Sequence, residues 1–130
     1  MPVLDTWAWV EYFQGSPAGA RIREIVEGAD VATSVLSLAE LSDLYAREGR
    51  AGLAERIAFI RSRGLVLDVS QRSAEQAGAT KWAQRKKGHP LGLADAIIYE
   101  TARENAMDLV TGDEGFKGLP RVRFIETKPR

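Results

Sequence analysis

The chain alternates between two hydrophobic periods, and that alternation limits its fold more than any other feature. Short apolar runs stand at residues 3–4, 31–35, 65–69, 109–111 and 122–125. They are rich in Val, Leu and Ile, too short for buried helices, and read as strands. Between them lie helical patterns. Trp7, Val10 and Phe13 recur at helical spacing before Gly15-Ser16-Pro17. Ile22, Ile25 and Val26 follow before Gly28, and Leu53, Ile57 and Ile60 before Gly64. Another helix runs from Ser70 through Ala74, Ala77 and Trp82 to about Lys87, and Gly88-His89-Pro90 breaks it. Strands separated by helices are joined by crossovers. This order therefore predicts an α/β fold with a mostly parallel central sheet, in one domain over residues 1–130.

Composition narrows the function. The chain has no cysteine, so disulfides, zinc–thiolate sites and thiol nucleophiles are excluded. No basic region precedes a long apolar run at the N-terminus, and no stretch is long and apolar enough to span a membrane, so a cytoplasmic location is expected. Formal net charge is zero, which argues against a generic polyanion binder and leaves room for a local basic patch.

Four acidic residues stand in unusual places. Asp5 follows the first strand at the start of a helix, where an Asp is a good N-cap. Glu40 shares helical spacing with Leu36 and Leu44, on or beside the apolar stripe, where a carboxylate is costly unless paired or metal-bound. Asp95 opens a late helix, a place also favoured by the helix dipole. Asp113 follows Leu109-Val110-Thr111 in a Thr-Gly-Asp-Glu-Gly stretch that is good turn chemistry. A parallel sheet brings Asp5 and Asp113 out at one edge, and the helix starts carrying Glu40 and Asp95 face that edge too. Four carboxylates in one cleft repel one another. Either some are protonated or cations hold them, and Mg²⁺ or Mn²⁺ suits an all-oxygen donor set. Such a centre hydrolyses phosphodiesters by activating water and clamping a phosphoryl oxygen.

The pieces VLDTWAWVEYF, TSVLSLAEL around Glu40, LADAIIYETA around Asp95 and LVTGDEGF around Asp113 resemble, in this order, the PIN-domain family, and within it the VapC ribonuclease toxins of prokaryotic toxin–antitoxin pairs. The resemblance covers essentially the whole chain. It implies a three-layer α/β/α fold and a magnesium- or manganese-dependent endoribonuclease that cuts single-stranded RNA. It also implies a homodimer and a cognate antitoxin protein with a segment in the active-site groove. The family's acids map onto Asp5, Glu40, Asp95 and Asp113. Asp5, Asp95 and Asp113 are expected as metal ligands, and Glu40 as a ligand or as the group orienting water. Thr6 and Thr111 fall where supporting hydroxyls are common. A further acid found in some members has no clear counterpart near Glu114 and Phe116, which leaves the number of metal ions open.

Lys81, Arg85, Lys86, Lys87 and His89 precede the Asp95 helix and are candidates for RNA phosphates. As a solvated helix end Lys86 and Lys87 would also complement the dipole. Trp7 and Trp9 read as packing or surface residues. Trp9, Phe13, Leu44 and Tyr45 are apolar residues available to the core or to an interface, and residues 127–130 read as a mobile tail. Phosphate-binding glycine motifs are absent. Other readings are a PIN nuclease of RNA maturation or DNA cleavage, and a non-catalytic interaction module. A phosphatase or phosphoacceptor is remote, because Asp5-Thr6-Trp7 lacks a second Asp.

Overall fold

The computed structural model describes residues 1–127. Its strands are β1 Val3–Leu4, β2 Val31–Ser34, β3 Gly64–Leu67, β4 Leu109–Thr111 and β5 Val122–Phe124. They form one sheet in the order β3-β2-β1-β4-β5, with every neighbouring pair parallel. Its helices are α1 Thr6–Gln14, α2 Pro17–Gly28, α3 Val35–Glu48, α4 Leu53–Ser62, α5 Gln71–Lys86 and α6 Leu93–Glu104.

The period of two along each strand divides the core. Val3 and Leu109 point to one face, where they meet Ala77, Leu91, Ala96, Ile98 and Phe116. Leu4 and Val110 point to the other and meet Trp9, Ile22, Val26, Leu41 and Ile60. Each fully buried aliphatic side chain here contributes roughly 1.5–3 kcal/mol. Helices α5 and α6 cover the first face and α1 to α4 the second, so the chain folds as three α/β/α layers, as its alternation requires.

Several sequence expectations are refined. The third strand begins at Gly64, one residue earlier than expected, and ends at Leu67. Gly64 has φ +153°, and a Cβ there would lie 2.0 Å from the Val31 carbonyl oxygen, so only glycine lets β3 approach β2 at its first register pair. Trp9 and Tyr45 belong to the core, with Phe13 and Leu44 half-buried against it. The helix expected through Ala74, Ala77 and Trp82 is α5, and of these three only Ala77 is buried. Ala74 and Trp82 are exposed, and the helix turns Ser73, Ala77, Thr80 and Gln84 inward. Small and polar residues suffice there because α6 supplies acceptors. Glu104 Oε2 accepts from Ser70 and Ser73, and Glu100 Oε2 accepts from Thr80 at 2.7 Å. Of the expected tail, residues 128–130 lie outside the described residues.

Candidate active site

The sheet order reverses between β1 and β4: from β1 the chain crosses to β2 and β3 on one side, while β4 and β5 lie on the other. Crevices at such a switch point, beyond the carboxyl ends of the strands, are where open α/β sheets place their chemistry. Register places Asp5 there, and Asp113 follows two residues beyond the end of β4. Leu4 pairs with Val110, so the next residues, Asp5 and Thr111, emerge side by side.

Asp5 is 1% exposed and both its oxygens are engaged. Oδ1 accepts from the Ala8 amide at 2.8 Å, the N-cap role expected of it. Oδ2 accepts from Thr111 Oγ1 at 2.5 Å. Burial, with Asp95 and Asp113 adding repulsion, outweighs these hydrogen bonds and pushes its pKa up to about 8. The same Thr111 oxygen accepts from the Asp113 amide at 3.0 Å, so one hydroxyl spaces two acids. Asp113 Oδ1 accepts from the Gly115 amide and caps a short 3-10 turn, Glu114–Phe116. The turn role is real, and it leaves the other carboxylate oxygen open. Next to it Gly112 is needed for space, since a Cβ would sit 2.3 Å from the Trp7 ring and 2.8 Å from the Ile125 carbonyl.

Helix α3 begins at Ser34, whose hydroxyl accepts from the Leu36 amide. It places Ser37 and Glu40 on one face, three residues apart, toward the first residue of α1. Thr6 Oγ1 donates to Glu40 Oε1 at 2.5 Å and lies 3.0 Å from Ser37 Oγ. Glu40 is half-buried at the edge of the apolar stripe. From the sequence either Ser34 or Ser37 could cap this helix; Ser34 is the cap, and Ser37 is fully buried inside the helix in this cluster.

Asp95 lies in the first turn of α6, behind Gly92, which gives no side-chain cap. A carboxylate that merely complemented a helix dipole would be held ionised. Asp95 behaves oppositely. Burial, then repulsion from Glu40 and Asp113, raises its pKa to about 7. These mutual repulsions tie all four acids into one electrostatic unit. The donor set is all oxygen and carries excess negative charge, which fits a hard divalent cation. Among the described residues, no group of three or more acids or histidines is already gathered closely enough to hold a metal ion. Glu114 stands outside the unit, exposed and 3.2 Å from Lys117 Nζ, and Phe116 is buried in the core.

The basic candidates cluster at the end of α5. Arg85, Lys86 and Lys87 are exposed, Lys81 is partly buried, and His89 is half-buried in the connection to α6. That end is anchored beside the acidic site. The buried Gln84 amide donates to the Gly115 and Lys117 carbonyls at 2.9 and 2.8 Å, and Arg85 Nε donates to the Leu91 carbonyl. Gln84 was missed, because a buried glutamine on a helix of low hydrophobicity leaves no pattern.

The sequence profile of the PIN domain matches residues 3–122. No curated protein matches significantly. Among solved structures, a toxin–antitoxin complex from Klebsiella pneumoniae is 23% identical with a TM-score of 0.72, over 97% of this chain and 98% of that one. Mycobacterium tuberculosis VapC20, a sarcin-ricin loop cleaving toxin, is 21% identical with a TM-score of 0.69, over 95% and 99%. A DNA-bound VapBC from Salmonella typhimurium is 24% identical with a TM-score of 0.66, over 95% and 97%. At these identities the structures share the fold.

Proposed function

Because the chain belongs to the PIN domain family, we propose that it is a metal-dependent endoribonuclease cutting single-stranded RNA, the toxin of a VapBC-type toxin–antitoxin pair. In this reading residues 1–130 make one PIN domain that acts in the cytoplasm as a homodimer, restrained by a cognate antitoxin. The observation that carries the enzymatic part is the coupling of Asp5, Glu40, Asp95 and Asp113 at the switch point of the sheet, with Asp5 and Asp95 pushed up to about 8 and 7. The toxin and antitoxin parts draw on likeness to the Klebsiella complex and to VapC20 over nearly full length.

Asp5, Asp95 and Asp113 would hold Mg²⁺ or Mn²⁺, with Glu40 beside them. When bound, the cation supplies counter-charge, lowers the pKa of its water and polarises a phosphoryl oxygen. The protein's own residues do the rest. Ala8 and Thr111 fix the Asp5 carboxylate so that it needs no reorganisation. Thr6 occupies Glu40 Oε1 and leaves Oε2 to orient water and take its proton. The water oxygen forms a bond to phosphorus while one phosphorus–oxygen ester bond breaks, and solvent protonates the leaving oxygen. Arg85, Lys86 and Lys87 bind flanking phosphates.

The test is cleavage of a fluorescent single-stranded RNA by wild type, Asp5→Asn and Asp95→Asn, with Mg²⁺, Mn²⁺ or EDTA. Cutting that needs metal and is lost in both variants, with circular dichroism unchanged, is the expected result. Wild type that neither cuts RNA nor binds either metal would leave the fold as an interaction module.

A further inference from the structure

Trp82 is the most exposed large hydrophobic side chain among the described residues, at 57%. Trp9, by contrast, is fully buried. A single exposed hydrophobic side chain is ordinary on a protein surface, so what matters is what surrounds this one. Its surroundings are chemically uniform. Lys81 Nζ lies 5.2 Å and Arg85 Cζ 5.5 Å from the indole centroid. From residue 76 to residue 94 there is no acid, while Lys81, Arg85, Lys86 and Lys87 are all basic in a chain of net charge zero.

The position is also fixed. Arg85, one flank of the ring, donates to the Leu91 carbonyl, two residues before α6 begins and four before Asp95 in that helix's first turn. Gln84, on the opposite side of α5 from Trp82, holds the 3-10 turn that Asp113 caps, so the end of the helix is anchored beside the acids while the indole faces solvent. The last turns of α5 are therefore built into the rim of the acidic cleft. An open aromatic face among cations that track a phosphate chain is the combination by which proteins hold single-stranded nucleic acid: bases stack and phosphates pair. We infer that Trp82, flanked by Lys81 and Arg85, is a base-stacking platform that grips a nucleotide of the single-stranded RNA beside the bond to be cut. The inference rests on the ribonuclease reading and adds a substrate-positioning residue to it. Stacking tolerates any base, so Trp82 sets affinity and the register of the strand, not sequence.

The test uses fluorescence anisotropy in EDTA, so that nothing is cleaved. The probes are a labelled 12-nucleotide single-stranded RNA and an abasic strand of equal phosphate number. Trp82→Ala is expected to weaken RNA binding about 10- to 100-fold, with Trp82→Phe staying within about threefold of wild type. Abasic binding and the salt dependence of RNA binding should not change in Trp82→Ala. Indole emission should be quenched by RNA in wild type. Equal RNA affinity in Trp82→Ala and wild type overturns the inference. So does an equal loss for both probes, which would mark a general electrostatic or folding effect. Loss of self-association in Trp82→Ala, with RNA affinity kept, would assign this face to a second copy instead. Metal-dependent cleavage separates the two readings. Cutting that Asp95→Asn abolishes and Trp82→Ala leaves untouched removes the platform and keeps the nuclease, whereas wild type that neither binds nor cuts RNA removes both.

Discussion

Thr111 Oγ1 donates to Asp5 Oδ2 at 2.5 Å and accepts from the Asp113 amide at 3.0 Å, so one buried hydroxyl sets the spacing of two acids from different parts of the chain. Removing it leaves a buried carboxylate short of a donor and a backbone amide short of an acceptor. Thr111→Val is expected to cost about 1–3 kcal/mol in urea denaturation. Thr111→Ser keeps the hydroxyl and should recover most of that loss. If Val were tolerated as well as Ser, the hydroxyl would be ornamental and the spacing set by the sheet alone.

Glu40 and Thr6 make the complementary case on the α3 side. Glu40→Gln preserves volume and can still accept from Thr6 through its carbonyl oxygen, so stability should move by less than about 0.5 kcal/mol. Cleavage should fall by about 100-fold or more, because an amide cannot take a proton from water. Thr6→Val should lose less activity, since it frees the carboxylate without removing it. Initial rates with Mn²⁺, beside thermal melts of the same samples, separate the two effects.

The raised acids give the metal-free protein a defined pH dependence. Asp5 moves from 3.8 to about 8 and Asp95 from 3.8 to about 7 on folding. Between those values the folded protein holds protons that the unfolded chain has lost. The contribution of these groups is therefore complete below about pH 4 and is lost as pH rises to 8. In EDTA the melting temperature should fall from pH 5 to pH 8, and Asp95→Asn should flatten the curve. Added Mn²⁺ should raise the melting temperature more at pH 8 than at pH 5, since the cation competes with protons for the same oxygens. A melting temperature that climbs with pH in EDTA would mean that the acids are not crowded as described.

What the sequence revealed and what it hid divide along a physical line. The strands at Val3-Leu4, Leu109–Thr111 and Val122–Phe124 were readable because apolar runs interrupt helical periods. Glu40 stood out because it shares an apolar stripe, Asp5 and Asp113 because they follow strands, and Asp95 because it opens a helix. The α5–α6 contact was hidden. It is made by Ser73, Ala77 and Thr80 against Glu100 and Glu104, so hydrogen bonds replace the apolar stripe from which helix faces are read. With that stripe missing, the sequence assigns no face to this helix, and the structure leaves Trp82 in solvent. Ser37 and Gln84 are of the same kind, polar residues whose meaning depends on partners far along the chain.

Gln84 offers the sharpest test of how the cleft is held. Its side chain is 1% exposed, and its Nε2 donates to the Gly115 and Lys117 carbonyls, while Oε1 is buried with no partner among the described residues. The amide orientation follows from this, since two carbonyls can face only a donor. Gln84→Glu replaces that donor with a carboxylate facing two carbonyl oxygens. At pH 8 the burial of an unpaired charge should cost well over the ~1–3 kcal/mol of a lost hydrogen bond. At pH 5 the protonated acid donates once and recovers part of the loss. Gln84→Met keeps the volume and forfeits both bonds without adding charge, so it should fall between wild type and the Glu variant at pH 8 and lose that advantage over the Glu variant at pH 5. Melts of the three proteins at pH 5 and 8 should therefore show a gap between Glu and Met that narrows with acid. In the Glu variant the loosened 3-10 turn should carry Asp113 out of place, lowering metal affinity even where the fold survives.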